Sequence, residues 1–124
     1  DGWITVHLSP DEYAKNWKQI EAIGAKRMPD KNYFPAFNCF MNVNEDSRRG
    51  WEGVRDHLED FHGPPIQDDV VDRWAIAGPP EQIAERLNEY IDAGVRIFQI
   101  VIGSPDQFDQ MRQIAEGVLP LIKR

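Results

Sequence analysis

A few polar side chains stand at the ends of apolar runs, where they could contact a ligand. His7 lies near the end of the first run, Asn42 and Asn44 close the second, and Ser104 follows the last. An imidazole titrates near neutral pH and can donate a proton or contact a substrate, while amides and a hydroxyl can hydrogen-bond a ligand. Each also has a structural interpretation: a polar strand end for His7, turn capping for the asparagines, and helix capping for Ser104. Both interpretations stay open at this point.

Two glycine-containing segments are candidate anion sites. Gly103-Ser104-Pro105 places backbone N–H groups at a predicted helix start, which is a plausible anion site, but strand exit and helix capping explain the same residues. Gly78-Pro79-Pro80 is similar, except that its two prolines remove the donors that a phosphate needs. Neither segment is a glycine-rich dinucleotide fingerprint.

The sequence predicts neither a metal site nor a nucleophilic thiol. His57 and His62 are five residues apart, which places them about 140° apart on a helix, whereas zinc ligands on one helix face prefer a spacing of four. The aspartates of residues 68–72 lack the glycine and the final glutamate of a calcium loop. Cys39, the only cysteine, sits in an apolar strand and is expected to be a buried structural thiol.

Composition limits the class of protein. The 124 residues suit one domain, and the net charge of -7 argues against nucleic acid as the main partner. Large aromatic side chains argue against disorder, and no apolar stretch is long enough to cross a membrane. A single cysteine excludes an internal disulfide, and a reducing, cytoplasmic location is the natural expectation.

Apolar runs and amphipathic helices alternate along the chain. Strands are predicted over residues 3–8, 36–43 and 95–102. In the second strand, Phe37, Cys39, Met41 and Val43 should face one side, and Asn38, Phe40 and Asn42 the other. The last strand is nearly all apolar, which is typical of a strand buried on both faces. Residues 62–73 are expected to be irregular, and residues 74–77 form a short apolar run.

Helix signals fall between these strands. Ser9-Pro10-Asp11-Glu12 predicts a capping box, Gly24 the end of that helix, and Gly94 a left-handed cap after a third helix. Pro120 should kink or stop the last helix. The predicted inner faces are Trp51, Val54, Leu58 and Phe61 in the second helix and Phe108, Met111, Ile114, Ala115, Val118 and Leu119 in the last.

Three parallel strands leave two unprotected edges, and the last strand is unusually apolar for an edge. The chain should therefore assemble with copies of itself or continue into further strands. A closed (β/α)8 barrel takes about 250 residues, twice this length. The predicted fold is α/β: the C-terminal βα units of an incomplete TIM barrel, with helices outside parallel strands. The first strand starts almost at residue 1, so we expect the chain to begin inside a longer protein.

Four segments carry a family resemblance. The Asp1-Gly2-Trp3-Ile4 strand, residues 78–87 (GPPEQIAERL), residues 90–95 (YIDAGV) and the helix from Phe108 to Pro120 resemble, in order and spacing, the C-terminal part of luciferase-like oxidoreductases. Together the segments cover nearly the whole chain. It departs from the family pattern at Pro79, where Thr is commoner, and at Gly117, where Glu is commoner.

The resemblance implies a TIM-barrel oxidoreductase that uses FMN or F420 on a small organic substrate. It implies a cofactor contact at Gly2 and Trp3, with core filling as the alternative for Trp3. Substrate contacts are expected at His7, Asn42 and Ser104. Residues 1–124 would form one partial-barrel domain, and because most of the family's cofactor contacts precede this segment, the chain alone should be catalytically incomplete.

A second hypothesis treats the chain as a non-catalytic α/β module that self-associates through its open sheet edges and binds no cofactor. Both hypotheses predict a homo-oligomer.

Overall fold

The computed structural model describes residues 2–123, in which strands and helices alternate. The strands are β1 (Gly2–Thr5), β2 (Phe34–Val43), β3 (Ala75–Gly78) and β4 (Ile97–Ile102), and the α-helices are α1 (Pro10–Arg27), α2 (Ser47–His62), α3 (Asp68–Trp74), α4 (Pro80–Asp92) and α5 (Gln107–Gln113). A π-helical turn (Ile114–Val118) and a 3-10 turn (Leu119–Leu121) follow α5. Within residues 2–123, none of the helices has the length and apolar character to span a bilayer.

Strand β2 is the centre of a parallel sheet. Strand β4 pairs with residues 36–41 along one side of β2. The other side is shared, because β1 pairs with residues 34–37 and β3 with residues 40–43. The predicted parallel α/β fold is confirmed. It has one strand more than predicted, because the apolar run at residues 74–77 enters the sheet where β1 has already ended.

The main core lies between one face of this sheet and the helices α1 and α4 with the final helical turns. Phe37, Cys39, Met41 and Val43 of β2 are each at most 3% exposed on this face, as their alternation predicted. Tyr13 of α1 and Tyr90 of α4 pack against Phe37, with ring centroids 6.0 and 4.2 Å away.

Helices α2 and α3 pack on the opposite face of the sheet. Their buried Val54, Leu58 and Val71 contact Phe40 of β2 and Ala75 of β3, which alternate with the residues of the main core. Helices α2 and α3 therefore contact the C-terminal half of β2. The arrangement was not predicted, since all helices were expected on the outer face.

The predicted capping box of the first helix and the predicted left-handed cap at Gly94 are confirmed. Ser9 and Glu12 form the capping box of α1, with the Ser9 N–H donating to Glu12 Oε2 at 2.8 Å. Asp46 caps α2 by accepting from the N–H groups of Arg48 and Arg49. Gly94 has a φ of 112°, the left-handed conformation that ends α4 at low cost for glycine.

Two strand predictions are corrected. Strand β1 ends at Thr5 rather than Leu8, since His7 has a left-handed φ of 65° that cannot continue an extended strand. Strand β4 is not buried on both faces within this chain: Phe98, Ile100 and Ile102 contact the main core, but Ile97 is 48% exposed.

Three helix predictions are also corrected. Helix α1 continues past Gly24 to Arg27. A side chain at position 24 would clash with the Tyr33 ring, because a Cβ there would lie 2.7 Å from Tyr33 Cε2. Phe61 is 77% exposed rather than part of the α2 core face. Residues 62–73 are not wholly irregular, since α3 begins at Asp68.

The last helix is rotated relative to its predicted face. Gln110 is buried in place of Phe108 and Met111, which are 87% and 58% exposed. The Gln110 amide satisfies both backbone groups of Val43 at the end of β2: its Oε1 accepts from the Val43 N–H at 2.7 Å, and its Nε2 donates to the Val43 carbonyl at 2.8 Å. The π-helical turn then brings Ile114 and Val118 into the core, while Leu119 is 53% exposed.

Candidate functional site

The face of the sheet opposite the main core is only partly covered. The strand register places Ile4, Ala36 and Ile97 in one row, and Asn38 beside Gln99 in the next row of β2 and β4. Ile4 and Ile97 are 52% and 48% exposed. We call this surface the open face. It is an apolar floor with two amide side chains, which is the composition of a small-molecule site.

All three histidines of the chain lie beside one aromatic stack on this face. Phe40 of β2 stacks on Trp74 with ring centroids 5.2 Å apart. The His7 ring meets the Trp74 ring edge-on at 3.9 Å, His62 lies 5.4 Å from Trp74, and His57 lies 5.9 Å from Phe40. The group lies where β1 ends and β3 begins. His7 was predicted as a site residue, but the other members were not, although the alternation of β2 had already placed Phe40 on this face.

The surroundings of His7 shift its pKa. Partial burial is the largest cause that lowers the pKa of His7 below 6.5, and the nearby positive charges of Arg73 and His62 lower it further. The imidazole is therefore neutral at pH 7, so it can accept a proton or a hydrogen bond. Its left-handed backbone fixes its position at the end of β1.

This shift predicts a pH dependence of stability. Because the folded pKa of His7 lies below the unfolded value, its contribution to stability is complete above about pH 6.5. Below that pH the unfolded chain takes up the proton first, and the contribution is lost as the pH falls through the folded pKa. We expect the free energy of unfolding of His7→Asn to decrease less between pH 7.5 and pH 5.5 than that of the parent chain. Asparagine is chosen because it tolerates the left-handed backbone at this position. Urea unfolding of both proteins at several pH values measures this, and identical slopes would contradict it.

Four buried polar atoms lack a hydrogen-bond partner among the described residues, and two belong to this region. They are Asn38 Oδ1 on the open face and Trp74 Nε1 in the aromatic stack; the others are Tyr33 Oη and Asn42 Oδ1. A buried group without a partner costs free energy that a ligand can recover. The open face thus offers one unused acceptor and one unused donor.

Asn42 and Ser104, both predicted as substrate contacts, lie close together at the C-terminal end of the sheet. Asn42 is 5% exposed, and its Nδ2 donates to the Gly103 carbonyl at 2.6 Å, which joins β2 to the exit of β4. Ser104 Oγ accepts from the Asp106 N–H at 3.3 Å. Ser104 also borders a cleft of about 370 Å³ with acidic and histidine side chains from α2. That cleft is lined by Gly53, Asp56, His57, Asp60, Ser104, Pro105 and Gln107.

The remaining predicted residues have mostly structural contacts. Trp3 packs on the main-core side, with its ring 5.0 Å from Tyr13 and 6.2 Å from Trp17, so these contacts support core filling. Gly2 is on the open face, where a Cβ would come within 2.8 Å of the Phe34 carbonyl. Asn44 Oδ1 accepts from the Asp46 N–H, which is turn capping.

Metal and thiol chemistry find no support in residues 2–123. That part of the chain has no group of three or more His, Cys, Asp or Glu side chains that could hold a metal ion. Burial raises the pKa of the Cys39 thiol to about 12, so Cys39 is the inert structural thiol that its setting predicted.

Curated proteins with similar sequences are a reductase and a dehydrogenase. A 5,10-methylenetetrahydromethanopterin reductase of Archaeoglobus fulgidus is 34% identical over 83 residues, which is 64% of this chain and 22% of the relative. An F420-dependent glucose-6-phosphate dehydrogenase of Kribbella flavida is 32% identical over 79 residues, again 64% of this chain and 22% of the relative. No family model matches the sequence.

Solved structures give the same result at the level of the fold. An F420-dependent secondary alcohol dehydrogenase, solved with an F420–acetone adduct, superposes with a TM-score of 0.76 at 18% identity over 100% of this chain and 43% of its own. The F420-dependent tetrahydromethanopterin reductase of Methanopyrus kandleri gives 0.70 at 19% identity over 98% of this chain and 45% of its own. The predicted resemblance to luciferase-like oxidoreductases is confirmed.

The luciferase-like similarity is partial in length. The matched segment spans about a fifth of the curated relatives, and this chain spans less than half of the solved structures. Its fold is that of part of a luciferase-like barrel. In such a barrel, the open face corresponds to the side opposite the outer helices. Its amides Asn38 and Gln99 lie toward the N-terminal ends of β2 and β4, whereas Asn42 and Ser104 lie at the C-terminal ends, where barrel chemistry takes place.

Proposed function

We propose that this chain is the C-terminal portion of an F420-dependent oxidoreductase that acts on a small organic substrate. The observation that carries the proposal is the open face, an apolar surface with unused polar atoms on the side of the sheet that a barrel encloses. F420 is favoured over FMN because three of the four related proteins carry F420 in their names.

The open face fits a planar deazaflavin. Ile4 and Ile97 offer apolar contact to a ring system, and the Asn38 and Gln99 amides can pair with its polar edge. Gly2 lies on the same face, so we keep it as a proposed cofactor contact. F420, when bound, carries the hydride. The chain's own part is to orient the ring, exclude water at the apolar floor and hold a proton acceptor, the neutral His7, at the end of β1.

The chain alone supplies one wall of the site, so we propose that it is inactive without the rest of the barrel. Binding should still be detectable. We expect weak, saturable binding of F420, with a Kd on the order of 0.1–1 mM, and weaker binding of FMN. Equilibrium dialysis of the full chain against each cofactor measures this. No saturable binding of either cofactor would favour the non-catalytic module.

Self-association is the second candidate property, and exposed apolar residues favour it. Phe108 and Met111 are exposed on α5. The outer edge of β4 has no partner strand among residues 2–123. We expect the chain to form dimers or larger assemblies, and Phe108→Ser with Met111→Ser to shift it toward monomer. Sedimentation velocity measures the distribution. A monomeric parent chain at high concentration would contradict the proposal.

A further inference from the structure

The two outer strands β1 and β4 have uncharged edges that lack a partner strand within residues 2–123. Strand β4 pairs only with β2, and β1 pairs only with the opposite side of β2, so each leaves one edge unpaired. Neither strand, GWIT in β1 and IFQIVI in β4, contains a charged residue or a proline. Sheet edges in natural proteins often carry such residues, because they prevent a further strand from pairing. Both edges are therefore open to another strand.

The burial of β4 supports the same conclusion. All of its residues except Gln99 are apolar, yet none of them is fully buried. Phe98, Ile100 and Ile102 contact the main core and remain partly exposed, and Ile97 is 48% exposed on the open face. Such a composition is typical of a strand with neighbours on both sides. Strand β4 thus has the composition of an inner strand at the position of an edge strand.

Strand β3, which lies on the same side of β2 as β1, has a protected edge. A cleft of about 290 Å³ beside it is lined by residues 75–77 of the strand and by the charged side chains of Glu85, Arg86 and Glu89 of α4. Charged side chains next to a strand are one way in which a sheet edge avoids pairing. On this side of the sheet, β1 is therefore the strand that remains open.

We propose that β4 of one copy of the chain pairs in parallel with β1 of a second copy. The two strands run in the same direction on opposite sides of β2, so the second copy extends the sheet of the first. The row of Ile4, Ala36 and Ile97 then continues across the contact, with Ile97 beside Ile4 of the second copy. This head-to-tail contact covers both open edges, whereas an antiparallel contact of β4 with itself leaves β1 open in each copy.

This pairing deepens the self-association proposed above and rests on it. Within the proposed oxidoreductase, the second copy widens the open face, because its Gly2 and Ile4 border the same surface as Ile97 and Gln99 of the first copy. Only that consequence depends on the cofactor proposal, since the pairing itself rests on the edges of the strands.

The test is cysteine cross-linking between two variants of the full chain. Ile4→Cys is mixed with Ile97→Cys or with Gln99→Cys under mild oxidation, and mass spectrometry identifies the disulfide-linked dimers. Adjacent strands lie about 4.8 Å apart, within the Cα separation of about 4.4–6.8 Å that a disulfide spans. The two β4 positions allow for a shift of two residues, which keeps the same face. The native Cys39 is buried and should not compete.

The control mixture replaces Ile4→Cys by Ile23→Cys, because Ile23 lies on α1 and is 55% exposed, close to the 52% of Ile4. Pairing raises the effective concentration of the two thiols, so we expect about tenfold more mixed dimer from Ile4→Cys than from this control. Ile97→Lys should also raise the dissociation constant of the assembly about tenfold in sedimentation, because it places a charge at the contact. Ile23→Lys should leave that constant unchanged.

Two results would overturn the pairing. One is an equal yield of mixed dimer from Ile4→Cys and from the Ile23→Cys control. The other is a disulfide formed mainly between two copies of Ile97→Cys, which would indicate an antiparallel contact of β4 with itself. If the parent chain assembles in sedimentation but gives no mixed dimer, only the pairing of β4 with β1 fails. A monomeric parent chain would contradict self-association itself, and neither result depends on F420.

Discussion

Phe37→Ala is expected to lower the free energy of unfolding by about 3–5 kcal/mol. Phe37 is 2% exposed at the centre of β2, where its ring stacks on Tyr90 and meets Tyr13 edge-on. Truncation leaves a cavity between the sheet, α1 and α4, which the surrounding rings cannot fill without leaving their hydrogen bonds to the Ala36 and Leu8 carbonyls. For a domain with a total stability of about 5–15 kcal/mol, this loss is large.

Urea unfolding followed by circular dichroism measures this effect. Phe108→Ala is the matched control, because the same side chain is removed from a position that is 87% exposed. The control should change stability by less than about 0.5 kcal/mol in the monomer. Equal effects at the two positions would contradict the assignment of the core.

Gln110→Leu is expected to cost about 2–5 kcal/mol, although it places an apolar side chain of similar size at a buried position. The substitution removes both hydrogen bonds to Val43, and the N–H and carbonyl at the end of β2 then lack partners. Loss of this contact should also detach α5 from the sheet. Hydrogen exchange at the Val43 amide measures the local effect, and we expect it to accelerate before the rest of β2.

Gln113→Leu is the control for this substitution. Gln113 lies one turn further along the same helix and hydrogen-bonds only to Asp109 among the described residues, so its replacement should be nearly neutral. If Gln110→Leu were as stable as the parent chain, the amide of Gln110 would not be the link between α5 and β2.

Local signals in the sequence predicted the elements whose ends are set by their own residues. The capping box at Ser9 and the left-handed Gly94 both act within a few residues, so the sequence alone identifies them. The alternation along β2 likewise predicted its core face, because the period of two is a property of the strand itself.

Features set by tertiary contacts could not be read in this way. The amphipathic stripe of the last helix predicted Phe108 inside, yet the unsatisfied backbone of Val43, 67 residues away, selects Gln110 instead. The run at residues 74–77 becomes a strand only because β1 ends early and leaves that side of β2 without a partner over its second half.

The candidate site shows the same division. His7 was identified from its place after an apolar run, and Asn42 and Ser104 from the ends of later strands. Trp74 and His62 gave no comparable signal, since only the packing of α2 and α3 onto the face opposite the main core brings them to His7.

The most direct test of the account asks which face of the sheet meets F420. NMR signals of the side-chain amides of Asn38 and Gln99 are followed while F420 is added to the full chain, with Asn16 and Gln19 of α1 as internal controls. We predict saturable shifts at Asn38 and Gln99 and none at the two α1 amides. Shifts confined to α1, or no saturable shift at Asn38 and Gln99, would contradict the proposal that the open face is the cofactor wall of an oxidoreductase barrel.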